Sequence, residues 1–329
     1  MNIQTVTFHN MSFVNVTKPG ELEIKYLKNN FGFSALHLDD YTNKTQTPKI
    51  ETFKNYTLVV LDLPCFNSAL LNDQDNGKAH FPPVPFPQFK ETEKRRRIIS
   101  SQVDFFVGKD YVVILHDGNL LPVSDMFAYC QKTLRNREEL MGEGSVFLAY
   151  KIIDALVDMS FLVINELSTM IDKIDKELEK KPSQRTLEDI STTRRNIVVF
   201  HTMIKPVLLL FKQLEQGAHK QLNGKMQPFW GNVGDHLIKI WDRLEDNQEL
   251  IEGISESNES LLASKTNEIV KVLTIYSAII LPLNLFASIY GMNVTLPFED
   301  EPFTFALIIL VMVVTSYTML MIFKFKRWF

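Results

Sequence analysis

The sequence predicts an α+β cytosolic domain joined through a long-helix stalk to a two-helix transmembrane hairpin, and three observations predict it. Two apolar runs without a single charge, Val272–Tyr290 and Phe303–Phe323, lie near the end of the 329-residue chain. Ahead of them, from Pro228 onward, apolar residues recur at alternating steps of three and four with no clear stop, the pattern of a long helix. Residues up to about Leu140 instead alternate apolar and polar positions in short runs, the two-residue period of strands.

Each apolar run reaches roughly 28–32 Å as a helix, about the thickness of a bilayer's hydrocarbon core. A core helix of a water-soluble protein keeps a polar face. Phe303–Phe323 has none, so two membrane spans are expected rather than two core helices. Lys265 and Lys271 precede the first span and Lys324, Lys326 and Arg327 follow the second, whereas the connecting loop carries only Glu299, Asp300 and Glu301. Positive charge collects on the cytosolic side, so both ends are expected in the cytosol and the acidic loop outside a cell (inner) membrane crossed twice. The polar start MNIQTVTFHN lacks a charged and then apolar block, and no cleavable signal is expected.

In the soluble part, TLVVLDL (57–63) and VDFFVGKDYVVILH (103–116) read as strands, with Gly108-Lys109-Asp110 as a hairpin turn. Leu22–Asn30 and Ser124–Arg137 read as helices. The expected organisation is an α/β domain over 1–143, an antiparallel helical pair over 144–227 broken at Lys181-Pro182-Ser183, and a stalk and pore helix over 228–290. An external loop over 291–302, the second span over 303–323 and a basic tail over 324–329 follow. Residues 65–97 form a loop insertion containing HFPPVPFPQF and KRRR, whose turn-rich setting makes the basic run a solvated surface rather than a nucleic-acid patch. The net charge of −4 gives no reason to expect nucleic acid, and two cysteines fit a reduced compartment without a disulfide framework. An enzyme is not expected. Gly224-Lys225-Met226 has the wrong spacing for a phosphate loop, Gly142-Glu143-Gly144 is too short for a dinucleotide motif, and the seven histidines form no ligand cluster. No organic cofactor is implied.

Along the long helix, Leu237, Ile240, Leu244, Asn247, Ile251, Ile254, Asn258 and Leu261 form a seam, with two Asn that fix register or line a wet interior. Run on to Tyr290, that helix reaches roughly 90 Å and needs neighbours, of which copies of itself are the simplest. Within the first span Ser277, Asn284 and Ser288 share a face, with Thr274 and Asn267 displaced toward the cytosol. A buried Asn in lipid needs a partner or water. Helix–helix hydrogen bonding is one reading; a water-lined pore built from several copies also accounts for the stripe's length and is favoured. Pro282 in mid-span is tolerable where protein or water satisfies the freed carbonyl.

Tyr290-Gly291-Met292-Asn293 closing an apolar helix, then a short acidic loop, a second apolar helix and the tail KFKRWF, resembles the CorA family of divalent-cation transport proteins. The membrane approach SKTNEIVKVLT (264–274), Pro48-Lys49-Ile50-Glu51 with Tyr56, YLKNNFGFSALHLDDYTNKTQTPKIETFKNY (26–56) and FLAYKIIDALVDMSF (147–161) also look like that family. The resemblance covers most of the chain and is faintest in the first twenty residues and the insertion. It implies a funnel-shaped membrane homo-oligomer, a pentamer, with the long helix lining the pore and the second span facing lipid. Residue by residue, the implied path runs past Asn267, Leu273, Ser277, Leu281, Asn284, Ser288 and Asn293, with Leu273 and Leu281 as hydrophobic constrictions. Gly291, Met292 and Asn293 would be the filter for hydrated Mg²⁺, an ion that prefers octahedral oxygen and sheds water reluctantly. Glu299, Asp300 and Glu301 either raise local cation concentration or are ordinary solvated loop charges.

The resemblance further implies a regulatory cytosolic Mg²⁺ at a subunit interface. Asp40, beside Asp39, matches one such position, and Asp39-Asp40 reads equally as a turn pair. The partner position holds Asn232 rather than an acid, with Asp235 one turn on as a substitute, so a weaker or shifted site is expected. Ser34-Ala35 stands where the family has His-Pro. The expected function is movement of Mg²⁺, with Co²⁺ or Ni²⁺, down its gradient. A zinc transporter of the sister branch and a non-conducting membrane-anchored metal sensor or scaffold are the alternatives, with Met292 arguing against the first.

Overall fold

β-Branched and aromatic residues dominate the strands, and their side chains alternate between two covered faces. The computed structural model describes residues 2–34, 36–38, 41, 47–66, 97–180, 184–292, 303–326 and 328. β1 (Ile3–Phe8), β2 (Met11–Thr17), β3 (Lys49–Thr52), β4 (Tyr56–Phe66), β5 (Ile98–Gly108) and β6 (Tyr111–His116) form one sheet in the order β1-β2-β6-β5-β4-β3. Every pairing is antiparallel except β2 with β6. Lys109 and Asp110 alone join β5 to β6. Gly108 is required there, because a Cβ would sit 2.4 Å from the Tyr111 ring. Of the insertion over 65–97, residues 67–96 lie outside the described residues.

One face of the sheet carries Phe13, Leu61, Leu63, Val103, Phe105, Val112 and Ile114 and merges with the helical core. The other carries Val14, Val16, Leu58, Val60, Phe106, Val113 and Leu115 and packs on Leu27 of α1 (Glu21–Phe31), Phe33, Leu38 and Tyr41. A sheet covered on both sides loses the apolar–polar alternation of a one-sided sheet, so the alternation expected from the sequence gives way to near-continuous apolar strands.

The helix expected over Ser124–Arg137 is two helices, α2 (Leu121–Lys132) and α3 (Leu134–Met141). Thr133 breaks them: its backbone is extended (φ −143°, ψ 157°) and its Oγ1 accepts the Asn136 amide at 3.2 Å, capping α3. α4 (Ser145–Lys180) and α5 (Gln184–Glu215) follow, and the expected break at Lys181–Ser183 lies outside the described residues. A 3₁₀ turn (Gly224–Met226) leads into α6 (Gln227–Tyr290), and α7 (Thr304–Phe325) ends the order.

Among the described residues three helices are long and apolar enough to cross a membrane, α5 included. Burial separates them. In α5, 44 % of the most apolar stretch is buried, with Ile197, Phe200, Ile204, Val207 and Phe211 inside the core, against 6 % for α6 and 0 % for α7. α5 is therefore a core helix.

The chain divides into two compact units, Met1–Ile254 and Ser255–Phe329, with the division inside α6. In the first unit the expected seam is buried: Leu237, Ile240, Leu244, Asn247, Ile251 and Ile254 all lie in the interior. Its neighbours there include α4 and α5 of the same chain. Ser168 and Asn247 exchange hydrogen bonds at 3.0–3.1 Å between the two helices. In the second unit Asn258 is buried, whereas Leu261 is 39 % exposed. From there to Met292 most side chains are exposed, and Ile275 is an exception.

Candidate functional site

A continuous face of α6 carries the expected path. Leu273, Ser277, Leu281, Asn284 and Ser288 follow each other at steps of four, four, three and four, within an arc of about 80° around the helix axis. Asn267 lies about 40° outside that arc. All six are exposed, Leu273 and Leu281 at 64 % and 67 %. Toward the start of the unit the same face continues through Val270, Thr266, Ala263, Glu259 and Glu256, also exposed. Thr266 and Thr274 spend their hydroxyls on the carbonyls of Leu262 and Val270, at 2.9 and 2.7 Å.

At its far end α6 closes tightly. The Gly291 amide bonds to Ala287 O at 3.0 Å and Met292 to Ile289 O at 3.3 Å. A Cβ on Gly291 would lie 3.1 Å from Ala287 O, so a side chain there would push against the last turn. Met292 is 56 % exposed. Asn293, Glu299, Asp300 and Glu301 lie outside the described residues.

A second cluster sits in the first unit, where α4 faces the start of α6. Asn232 Nδ2 donates to Asp154 Oδ1 at 3.4 Å, and one turn on His236 Nδ1 meets Asp158 Oδ1 at 3.2 Å. Asn232 also bonds the Tyr150 hydroxyl, whose ring is buried against Phe147, Phe229 and Trp230. Trp230 holds this end of α6 by donating to Leu222 O at 2.8 Å. Burial pushes the Asp154 carboxyl above its usual range, and the Asp158 charge adds to the effect. Asp235 is exposed; Asp39 and Asp40 lie outside the described residues. The segment leading to them is anchored at His37, which is within 3.2 Å of the Tyr56 hydroxyl and 3.5 Å of Glu51.

Of the site residues named from the sequence, the structure thus brings the α6 stripe onto one face and puts Asn232 in a separate cluster. Asp154, Asp158, Tyr150 and His236 were not singled out. Their signal was the matched spacing of four in Asp154/Asp158 and in Asn232/His236, which turns each pair to one side of its helix. Among the described residues no three His, Cys, Asp or Glu side chains converge closely enough to enclose a metal ion.

The family model for the CorA-like Mg²⁺ transporter protein matches residues 68–327. The chain belongs to that family. Among its relatives in the CorA-like family, the cobalt/magnesium transport protein CorA of Thermotoga maritima is 28 % identical, across 91 % of this chain and 77 % of its own length. The complete structure of the CorA magnesium transporter from Methanocaldococcus jannaschii superposes with a TM-score of 0.78 at 17 % identity, covering 98 % of this chain and 94 % of that one. The ZntB cytoplasmic domain from Vibrio parahaemolyticus gives 0.55 at 8 % identity, over 78 % of this chain and 90 % of that one. The soluble α/β domain, long helix and C-terminal apolar helices are therefore the CorA architecture. The chain is a membrane protein of the CorA-like Mg²⁺ transporter family, whose members are transporters rather than enzymes.

Proposed function

We propose that several copies of the chain, a pentamer by the family resemblance, surround one water-filled path along the exposed face of α6 and let hydrated Mg²⁺, and also Co²⁺ or Ni²⁺, run down its gradient. The observation that carries this reading is the placement of Ser277, Asn284 and Ser288 on one exposed face of a span without a charge. Facing lipid, the Asn amide would lack partners at a cost of several kcal/mol. Facing water and a hydrated ion, it is satisfied. Leu273 and Leu281 on the same arc supply constrictions that close by dewetting when the copies draw together. Glu256 and Glu259, on that face at the cytosolic end, favour cations over anions.

Gly291, Met292 and Asn293 would select at the outer mouth. Carbonyl and amide oxygens bond to the ion's water shell, so Mg²⁺ avoids the cost of dehydration and is not held too tightly to leave. Glu299, Asp300 and Glu301 in the external loop 291–302 would concentrate cations beside that ring. The driving force is the membrane potential, about 2.3 kcal/mol per charge per 100 mV and twice that for a divalent ion. No covalent chemistry is required.

Cytosolic divalent cation is the proposed regulator. The oxygens of Asp154, Asp158 and Asn232 suit Mg²⁺, which binds through one or two carboxylates and keeps several waters; the His236 imidazole suits Co²⁺. Asp39, Asp40 and Asp235 are the candidates to complete the shell from a neighbouring copy. When bound, the cation screens the repulsion between Asp154 and Asp158. Asn232 offers an oxygen without charge, so weaker retention is expected than by carboxylates alone. The test is dye-reported uptake into proteoliposomes under an inside-negative potential. Mg²⁺ entry that loses ion selectivity in Asn293→Ala, with assembly intact, supports the reading. Entry of Zn²⁺ alone would reassign the chain as a zinc transporter, and no entry of any divalent ion as a sensor or scaffold.

A further inference from the structure

We propose that the cytosolic end of the membrane hairpin is a docking site for the headgroup of an anionic phospholipid, built from Lys271, Lys324 and Lys326 around the Phe323–Trp328 ring pair. The proposal rests on the membrane placement of α6 and α7 and not on the channel reading, so either can fail alone.

The register of the two helices puts the lysines at one level. A groove within the second unit sets Leu283 of α6 against Ile309, Val313, Tyr317 and Leu320 of α7, centred near residue 314. The helices run in opposite directions, so eight residues back on α6, about 12 Å of rise, corresponds to about eight residues forward on α7. That step pairs the level of Ile275 with that of Phe323. Both are buried, at 6 % and 9 %, while most apolar side chains of these helices are exposed. One further turn puts Lys271 level with the end of α7, where Lys324 and Lys326 are exposed.

The end of α7 is built to hold this arrangement. Trp328 N donates to Phe323 O and Lys326 N to Ile322 O, each at 3.0 Å. The Trp328 ring stacks on Phe323 with centroids 5.4 Å apart and planes 26° from parallel. Two carbonyls of the last turn are thereby occupied, which reduces the negative end of the helix dipole, and the lysines oppose what remains. Phe325 between them is 91 % exposed, an apolar ring flanked by two cations.

Charge and depth select the occupant. From Phe303 onward the sequence contains no Asp or Glu, and Glu268 is the nearest acid on α6. Cations and amphipathic rings at the boundary of an apolar span fit a negative headgroup with its acyl chains alongside Phe325. A zwitterionic headgroup brings no net charge to the lysines and is the discriminating control.

The experiment uses the full chain in nanodiscs containing brominated phosphatidylglycerol or brominated phosphatidylcholine at equal mole fraction. Tryptophan quenching is read, and the signal of Trp328→Phe is subtracted. The expected result is stronger quenching of Trp328 by phosphatidylglycerol at low mole fraction. Each Lys→Gln change should weaken the apparent affinity about fivefold, and the triple change about a hundredfold. The triple Lys→Arg variant, which keeps charge, should restore the preference and so separate charge from a folding defect. Equal quenching by the two lipids would overturn the proposal, as would a preference that survives triple Lys→Gln or is not restored by Arg. Loss of the preference on adding soluble glycerol phosphate would also overturn it, because the site would then bind free phosphate rather than a lipid.

Discussion

Asp154 stands between two needs. Its carboxyl must be ionised to hold a cation, yet burial and the Asp158 charge raise its proton affinity. A raised carboxyl binds its proton more tightly folded than unfolded. The folded state therefore gains stability as pH falls through that value and loses it as pH rises above it. Without divalent cation, Asp154→Asn is expected to melt higher than the parent at neutral pH and to lose the stabilisation that added Mg²⁺ gives the parent. Thermal unfolding with and without Mg²⁺ reads both effects; equal Mg²⁺ stabilisation in the two proteins would remove Asp154 from the regulatory set.

His116 has the opposite sign. Its Nε2 lies 2.9 Å from Asn15 Oδ1, and its Nδ1 accepts the Gly118 amide, so the neutral ring satisfies both contacts. Burial pushes its pKa down from 6.5 to about 4, with Asp117 opposing in part. A depressed base costs nothing above the unfolded value and destabilises progressively as pH falls from about 6.5 to about 4, by up to about 3 kcal/mol. His116→Gln should flatten the melting profile across that window. A profile as steep as the parent's would place the acid sensitivity elsewhere.

Among the elements, the α4–α6 contact illustrates what a polar pair does in an apolar seam. Replacing Asn247 with Leu leaves the Ser168 hydroxyl only the Ile164 carbonyl of its own helix, whereas Ser168→Ala leaves the Asn247 amide buried without its partner. Ser168→Ala is expected to cost about 1–3 kcal/mol and Asn247→Leu less, and the double change less than their sum, because the stranded amide is then gone. Chemical denaturation of the four proteins measures the coupling; strict additivity would mean that the two side chains do not act as a pair. The same elements show what could be read from the chain alone. The β5–β6 hairpin was legible because two dense apolar runs flank Gly108-Lys109-Asp110. The β1–β2 hairpin was not, since its turn at His9 uses a positive φ of 48° on a residue that gives no glycine signal. The periodic α6 stripe was visible as spacing. The Asp154–Asn232 contact was not, because it joins residues 78 positions apart and depends on how two helices meet.

At the scale of the whole molecule, each stretch of α6 answers to a different solvent. Through Ile254 its buried side chains face the protein core, where α4 supplies a neighbour from the same chain. Beyond it, a span without charges leaves a polar stripe exposed, and copies of the chain are proposed to enclose water along that stripe. Cysteine accessibility tests this most directly, because the native Cys65 and Cys130 are both buried. Ser277→Cys, Asn284→Cys and Ile279→Cys would be reconstituted and treated with a water-soluble, membrane-impermeant thiol reagent while Mg²⁺ flux is followed. Ser277 and Asn284 lie on the stripe and Ile279 about 140–160° around the helix from them. The account predicts that modification stops flux through the first two variants and leaves flux through Ile279→Cys unchanged. Undiminished flux through Ser277→Cys and Asn284→Cys, or equal block at all three positions, would contradict it.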